Sequence, residues 1–105
     1  MLTIRDYAGA TIRLTDERLS HILSRQEMRL MAPERLAETL FSPEQVVQSR
    51  SDPEARLYYR HYQDTPVGPK HLCVVVADRA ADAFVLTAYV TDTRKGGEIL
   101  WPARS

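Results

Sequence analysis

His21, Arg25, Arg60, His71, Thr87, Tyr89 and Lys95 are the side chains whose types could do chemistry together. Imidazoles exchange protons near neutral pH, guanidinium and ammonium groups neutralise phosphate oxygens, and hydroxyls orient both. Such a set suits phosphodiester cleavage without a metal. Attack of a ribose 2′-hydroxyl on its neighbouring phosphate needs a base, an acid and cations around the charged transition state. His21 and Arg25 are four residues apart and Arg18 shares their surface, which at about 100° per residue points away from Leu19, Ile22 and Leu23. The same trio also fits an ordinary solvated helix face. Thr87, Tyr89 and Thr91 also suit an exposed strand face, because Thr and Tyr are good strand formers. Tyr58, Tyr59 and Tyr62 equally suit packing roles with a polar tip.

Other chemistries lack their signatures. The histidines stand at 21, 61 and 71, without a nearby Cys or a helical His-x-x-x-His pair, so neither metal-ligand spacing nor a cofactor is implied. Gly96-Gly97 is followed by no helix that would make it a phosphate loop, and it reads as a flexible turn. No Gly-x-Ser-x-Gly element supports an acyl-transfer nucleophile. Cys73 is the single cysteine, which excludes an intramolecular disulfide, and its apolar strand context predicts a small core residue.

The elements that must position these residues follow from periodicity. Leu2 to Arg5 and Thr11 to Leu14 alternate around a Gly-containing turn and predict a hairpin. Thr15 as N-cap, with Asp16 and Glu17 in the first turn, opens a helix expected to run to Glu27. Pro33 starts a second helix carrying Leu36, Leu40 and Phe41, and Ser42-Pro43-Glu44-Gln45 has the form of a capping box for one further turn. Val46 to Arg50, Leu57 to Tyr62, Lys70 to Ala77 and Ala83 to Thr91 read as four strands of an antiparallel meander. The expected fold is therefore α+β, with two N-terminal helices on a roughly four-stranded antiparallel sheet and an extra N-terminal hairpin.

Pairing the last two strands places Leu72, Val74 and Val76 opposite Ala88, Leu86 and Phe84, an apolar layer for the helices. His71, Cys73 and Val75 then share the other face with Tyr89, Thr87 and Val85. The face of the Tyr58 to Tyr62 strand stays open. Simple register sends Arg60 toward the helices, whereas a bulge near residues 64–69 would bring it to the polar side.

At 105 residues, 44% hydrophobic and 27% charged, the chain suits one domain spanning 1–105. No apolar run approaches the roughly 20 residues that span a bilayer, and the N-terminus lacks a secretory block, so a cytoplasmic, membrane-free protein is expected. Fourteen basic and fourteen acidic residues cancel, so any phosphate-binding patch must be local. The basic residues are mostly Arg, which suits bidentate phosphate contacts and equally reflects genomic composition.

Short motifs then add an ordered pattern: His21-Ile22 with Arg25, Thr39-Leu40 through Pro43, Val46 to Ser49, Tyr58-Tyr59-Arg60, Lys70, Val74-Val75-Val76, Thr87-Ala88-Tyr89-x-Thr91, Lys95-Gly96 and Trp101. Their order resembles a phage-associated nuclease-like family in the barnase, EndoU, colicin and RelE-like grouping, over roughly residues 14–101. The chain departs from that pattern at Gln26, where members often carry a second His. The resemblance implies RNA cleavage without metal, with His21, Arg60, Thr87 and Tyr89 as the catalytic group. Arg25, Tyr59, Lys70, His71, Thr91 and Lys95 would contact substrate. RNA is the implied partner, with a cognate inhibitor or a fused phage protein beside it. The competing expectation is a catalytically inactive RNA- or protein-binding module of the same fold.

Overall fold

The computed structural model describes residues 1–102. Strands β1 (Leu2–Arg5) and β2 (Thr11–Leu14) form the expected hairpin, and helix α1 (Asp16–Leu23) follows. The Thr15 hydroxyl accepts the Arg18 N–H at 3.2 Å, as an N-cap should. A short 3-10 turn at Gln26–Met28 and helix α2 (Glu34–Phe41) precede strands β3 (Gln45–Gln48), β4 (Ala55–Thr65), β5 (Gly68–Arg79), β6 (Asp82–Thr91) and β7 (Glu98–Trp101). None of the helices is long and apolar enough to cross a membrane among the described residues.

The sheet corrects the expected architecture. It has seven strands in the order β1-β2-β6-β5-β4-β3-β7, and it is mixed rather than antiparallel throughout. The β6-β5-β4-β3 meander is its centre. The hairpin joins β6 through a parallel pairing of Ile12 with Ala83 and Arg13 with Phe84, and β7 adds to β3 on the far side. Tyr7, in the hairpin turn, meets Trp101 of β7 with ring centroids 5.2 Å apart, so the sheet curls until its two ends touch.

Helix α1 ends earlier than Glu27. The Ser24 hydroxyl turns back onto the His21 carbonyl, and Arg25 has extended backbone that leads into the 3-10 turn. The turn expected from the Ser42-to-Gln45 box is absent as well. The Glu44 carboxylate accepts the His61 N–H at 2.8 Å instead of a helical amide.

Core packing fixes the faces. Tyr58, Leu72, Val74, Val76, Val85 and Ala88 turn toward α1 and α2 and pack with Ile22, Leu36 and Leu40. Val75 pairs with Thr87 while Val76 pairs with Val85, which leaves Leu86 as an extra residue in a β-bulge. The expected facing of Leu86 and Phe84 onto the helices is therefore corrected: Val85 takes that place, fully buried, and Ala88 lies opposite Val74. Phe84 stands instead beside the Arg13 and Arg79 guanidinium groups at 5.7 and 5.9 Å from its centroid.

β4 keeps simple register from Ala55 to Tyr62, and its irregularity falls after Tyr62 without reversing the faces. Tyr58 and Tyr62 point to the helices, and Tyr59 and His61 point away. Arg60 goes to the helix side, where Nη1 donates to the Ser42 carbonyl at 2.7 Å and Nε lies 3.5 Å from Glu38.

Beyond its two-residue pairing with β2, the outer edge of β6 carries no strand among the described residues. Arg18 Nη1 donates to the Leu86 carbonyl at 3.5 Å, and Arg25 Nη1 to the Ala88 carbonyl at 2.8 Å.

Candidate functional site

The sheet face turned away from the helices carries three cross-strand rows. Leu57, Val75 and Thr87 make the first, Tyr59, Cys73 and Tyr89 the second, His61, His71 and Thr91 the third. The bulge at Leu86 sets the register so that His71 faces Thr91, whereas Tyr89 faces Cys73. Residues 92–97 cross this face from the end of β6 to β7 as a strap. The Lys95 N–H donates to the Tyr59 oxygen at 2.9 Å, and Arg94 Nη2 donates to Glu44 at 3.0 Å. Gly97 lets the strap dock on β3, since a Cβ there would lie 2.3 Å from the Gln48 carbonyl oxygen.

The first row opens into a cleft of about 540 Å³. Thr87, Tyr89 and Lys95 line it, as do Arg50, Ser49 and Ser51 on the β3–β4 loop. Arg25 reaches its rim from the chain after α1 and donates to the Thr87 hydroxyl at 3.3 Å.

In the second row, burial pushes the Tyr59 hydroxyl up to about 12, and the Lys95 N–H it accepts works in the opposite direction. Burial raises Tyr89 further still, with the neighbouring Cys73 adding to it. Both phenols are neutral donors at physiological pH. Cys73 is buried, and burial also raises its thiol, against the hydroxyls of Tyr89 and Tyr59.

The third row holds two imidazoles edge to face, with ring centroids 5.1 Å apart. Burial, then the positive charges of Arg94 and His61, hold His71 below the ordinary His value, against the opposing pull of Glu44 and Asp92. His71 is thus an unprotonated proton acceptor at neutral pH. Its Nδ1 is buried without a hydrogen-bond partner among the described residues.

The residues singled out from sequence separate into groups. Arg25, Tyr59, Thr87, Tyr89 and Lys95 come together around the cleft and the strap, and His71 and Thr91 lie in the next row. Arg60 does not join them, because register commits it to the helix side. Lys70 pairs across from Tyr62 on that same side and is bound to Asp92. His21 is exposed on α1, four residues before Arg25, and its imidazole makes no hydrogen bond among the described residues.

Sequence reasoning missed His61, Arg94 and Glu44 beside His71, and Arg50 in the cleft. The pairing of His61 with His71 was readable in principle from the alternation of two adjacent strands. The contributions of Arg94 and Arg50 depend on the strap and on β7, which only the tertiary structure supplies. No family model, curated protein or solved structure matches the chain.

Proposed function

We propose that the chain is a metal-independent endoribonuclease-like domain that cleaves RNA by 2′-hydroxyl attack on the outer sheet face. The observation that carries the reading is the neutral His71 imidazole packed against His61, with the Arg94 guanidinium at hand. His71 takes the proton of the 2′-hydroxyl, whose oxygen then bonds to the adjacent phosphorus. The bond from phosphorus to the 5′-oxygen breaks, His61 protonates that leaving oxygen, and a 2′,3′-cyclic phosphate remains. A positive charge on His61 opposes one on His71 and so adds to the burial that keeps the base unprotonated. Arg94 supplies charge to the crowded phosphate oxygens.

Pure protein incubated with single-stranded RNA and a metal chelator tests the proposal. The expected products end in 2′,3′-cyclic phosphate, and His71→Ala is expected to lower the rate by roughly 10² to 10⁴. A second reading, an RNA-binding module without chemistry, is favoured by one feature: the cleft is lined by cations and hydroxyls but by no imidazole. RNA that is bound but never cut would select it.

A further inference from the structure

Arg50 and Lys95 differ from every other described arginine and lysine. Each of the others either donates to a carboxylate or a backbone carbonyl or, as for Arg56 with Asp78 and Arg79 with Glu54, stands in an ion pair. Among the described residues, neither the Arg50 nor the Lys95 side chain has such a partner, and both line the same cleft. In a chain with equal numbers of acidic and basic residues, two unpaired cations meeting in one concavity mark a place built for an anion.

The surroundings hold them there. Arg50 lies flat against Gly96, where a Cβ would stand 3.2 Å from Nη2 and 3.4 Å from Cζ. A side chain at 96 would make the guanidinium give way by a few tenths of an ångström. Gly97 keeps the strap on β3, so the two glycines bring Lys95 into the cleft that Arg50 enters from the β3–β4 loop.

Hydroxyl groups complete the lining. Ser49 and Ser51 share a hydrogen bond at 3.2 Å, and Thr87 stands across from them with Arg25 behind it. Asp52 is the carboxylate of the cleft, and its Oδ1 accepts the Glu54 N–H at 3.0 Å. A planar guanidinium fork, an ammonium point charge and separate hydroxyls approach from different directions. A tetrahedral anion with several oxygens uses such a set more fully than a flat carboxylate does.

We propose that Arg50 and Lys95 form a phosphate-binding subsite that anchors a non-scissile phosphate of the RNA. The nuclease reading supplies the source of the phosphate, while the chemistry of the subsite stands apart from it. Along β5 and β6 the cleft row and the histidine row are four residues apart, roughly 13 Å at strand rise. A phosphate in the cleft therefore lies away from the reacting centre and positions the strand there.

The test uses the whole chain. Inorganic phosphate titrated into labelled protein is expected to shift the Arg50 side-chain and Gly96 amide NMR signals saturably, and Arg50→Ala or Lys95→Ala should abolish the effect. A short non-cleavable RNA analogue should bind each variant about tenfold more weakly, with the salt dependence of log affinity shallower by about 0.7 per lost cation. In cleavage, KM should rise while kcat changes little.

Absence of saturable phosphate shifts, or unchanged analogue affinity and salt slope in both variants, overturns the subsite. If phosphate and analogue bind as expected but no RNA is cut, the nuclease reading fails and the subsite stands. Cleavage with an unchanged KM in both variants leaves the nuclease reading and removes the subsite.

Discussion

The Tyr58 hydroxyl, in the middle of β4, donates to Asp6 Oδ2 in the hairpin turn at 2.7 Å. Asp6 is buried, and its Oδ1 accepts the Ala8 and Ala10 N–H groups at 3.0 and 2.9 Å. One carboxylate thus shapes the turn and ties it to the central sheet, and burial and this bond together raise Tyr58 far above the ordinary phenol range. Tyr58→Phe leaves a buried acceptor short of a partner and is expected to cost about 1–3 kcal/mol in urea unfolding. Asp6→Ala in the Tyr58→Phe background should cost less than alone. Strict additivity would contradict the coupling.

The bulge at Leu86 sets a contrast between neighbours. Val85 is fully buried and Leu86 only half-buried. Val85→Ala is expected to destabilise the domain by about 1–3 kcal/mol through lost burial and a cavity, as is Val74→Ala. Leu86→Ala should cost less although it removes more atoms. Chemical denaturation of the three variants decides, and a costlier Leu86→Ala would place the bulge elsewhere.

His71 should titrate below the ordinary imidazole value of about 6.5 in an NMR pH series. Because its folded value is depressed, the unfolded chain takes up the proton first as pH falls. Its contribution is therefore neutral above about 6.5 and destabilising as pH drops from there through the folded value. Arg94→Ala removes an opposing positive charge and should raise the titration point. A His71 resonance that titrates above 6.5 would deprive the proposed base of its physical support.

Cleavage assays separate the two histidine locations. His71→Ala should abolish most activity, and the acid limb of the rate profile should lie below the usual imidazole pKa. His21→Ala should leave both rate and stability nearly unchanged, the latter within about 0.5 kcal/mol, because its exposed imidazole makes no hydrogen bond among the described residues. A large rate loss from His21→Ala would move the reacting centre toward Arg25 and Thr87.

The β5–β6 turn carries avoidable strain. Ala80 and Ala81 both have positive φ, 48° and 67°, between the paired Arg79 and Asp82. Such two-residue turns favour Asn-Gly. Ala80→Asn with Ala81→Gly should raise the thermal midpoint through about 0.5–2 kcal/mol of added stability, visible by calorimetry.

Much of the framework was legible because burial imposes a period. Alternation marked both hairpin strands and the four-strand meander, and Thr15 with its acidic followers marked the start of α1. Three features escaped for physical reasons. Glu98 to Trp101 has only four residues, and its pairing with β3 spans half the chain. Leu86 gives no local sign of being an inserted residue, yet it reassigns Phe84, Val85 and the partner of His71. Glu44 fits a capping box but bonds His61, a competition settled by tertiary contact. At the site, alternation put Thr87, Tyr89 and His71 on one sheet face, whereas the face of Arg60 stayed open because the register of β4 had no local marker, and Lys95 lies on a strap outside any strand. That Arg50 and Lys95 lack partners among the described residues could not be read from sequence, since it depends on where every acid goes.

The uncovered stretch of β6 bears on how the protein behaves at high concentration. A strand that ends its pairing early offers carbonyl acceptors to any extended chain that drifts past, the usual nucleus of edge-to-edge aggregation. Here Arg18 and Arg25 already occupy the Leu86 and Ala88 acceptors, and each brings a positive charge that repels a like copy. Arg25, which reaches the cleft rim, thereby also acts with Arg18 as a gatekeeper of the sheet edge. Colloidal stability and the candidate site thus both draw on Arg25.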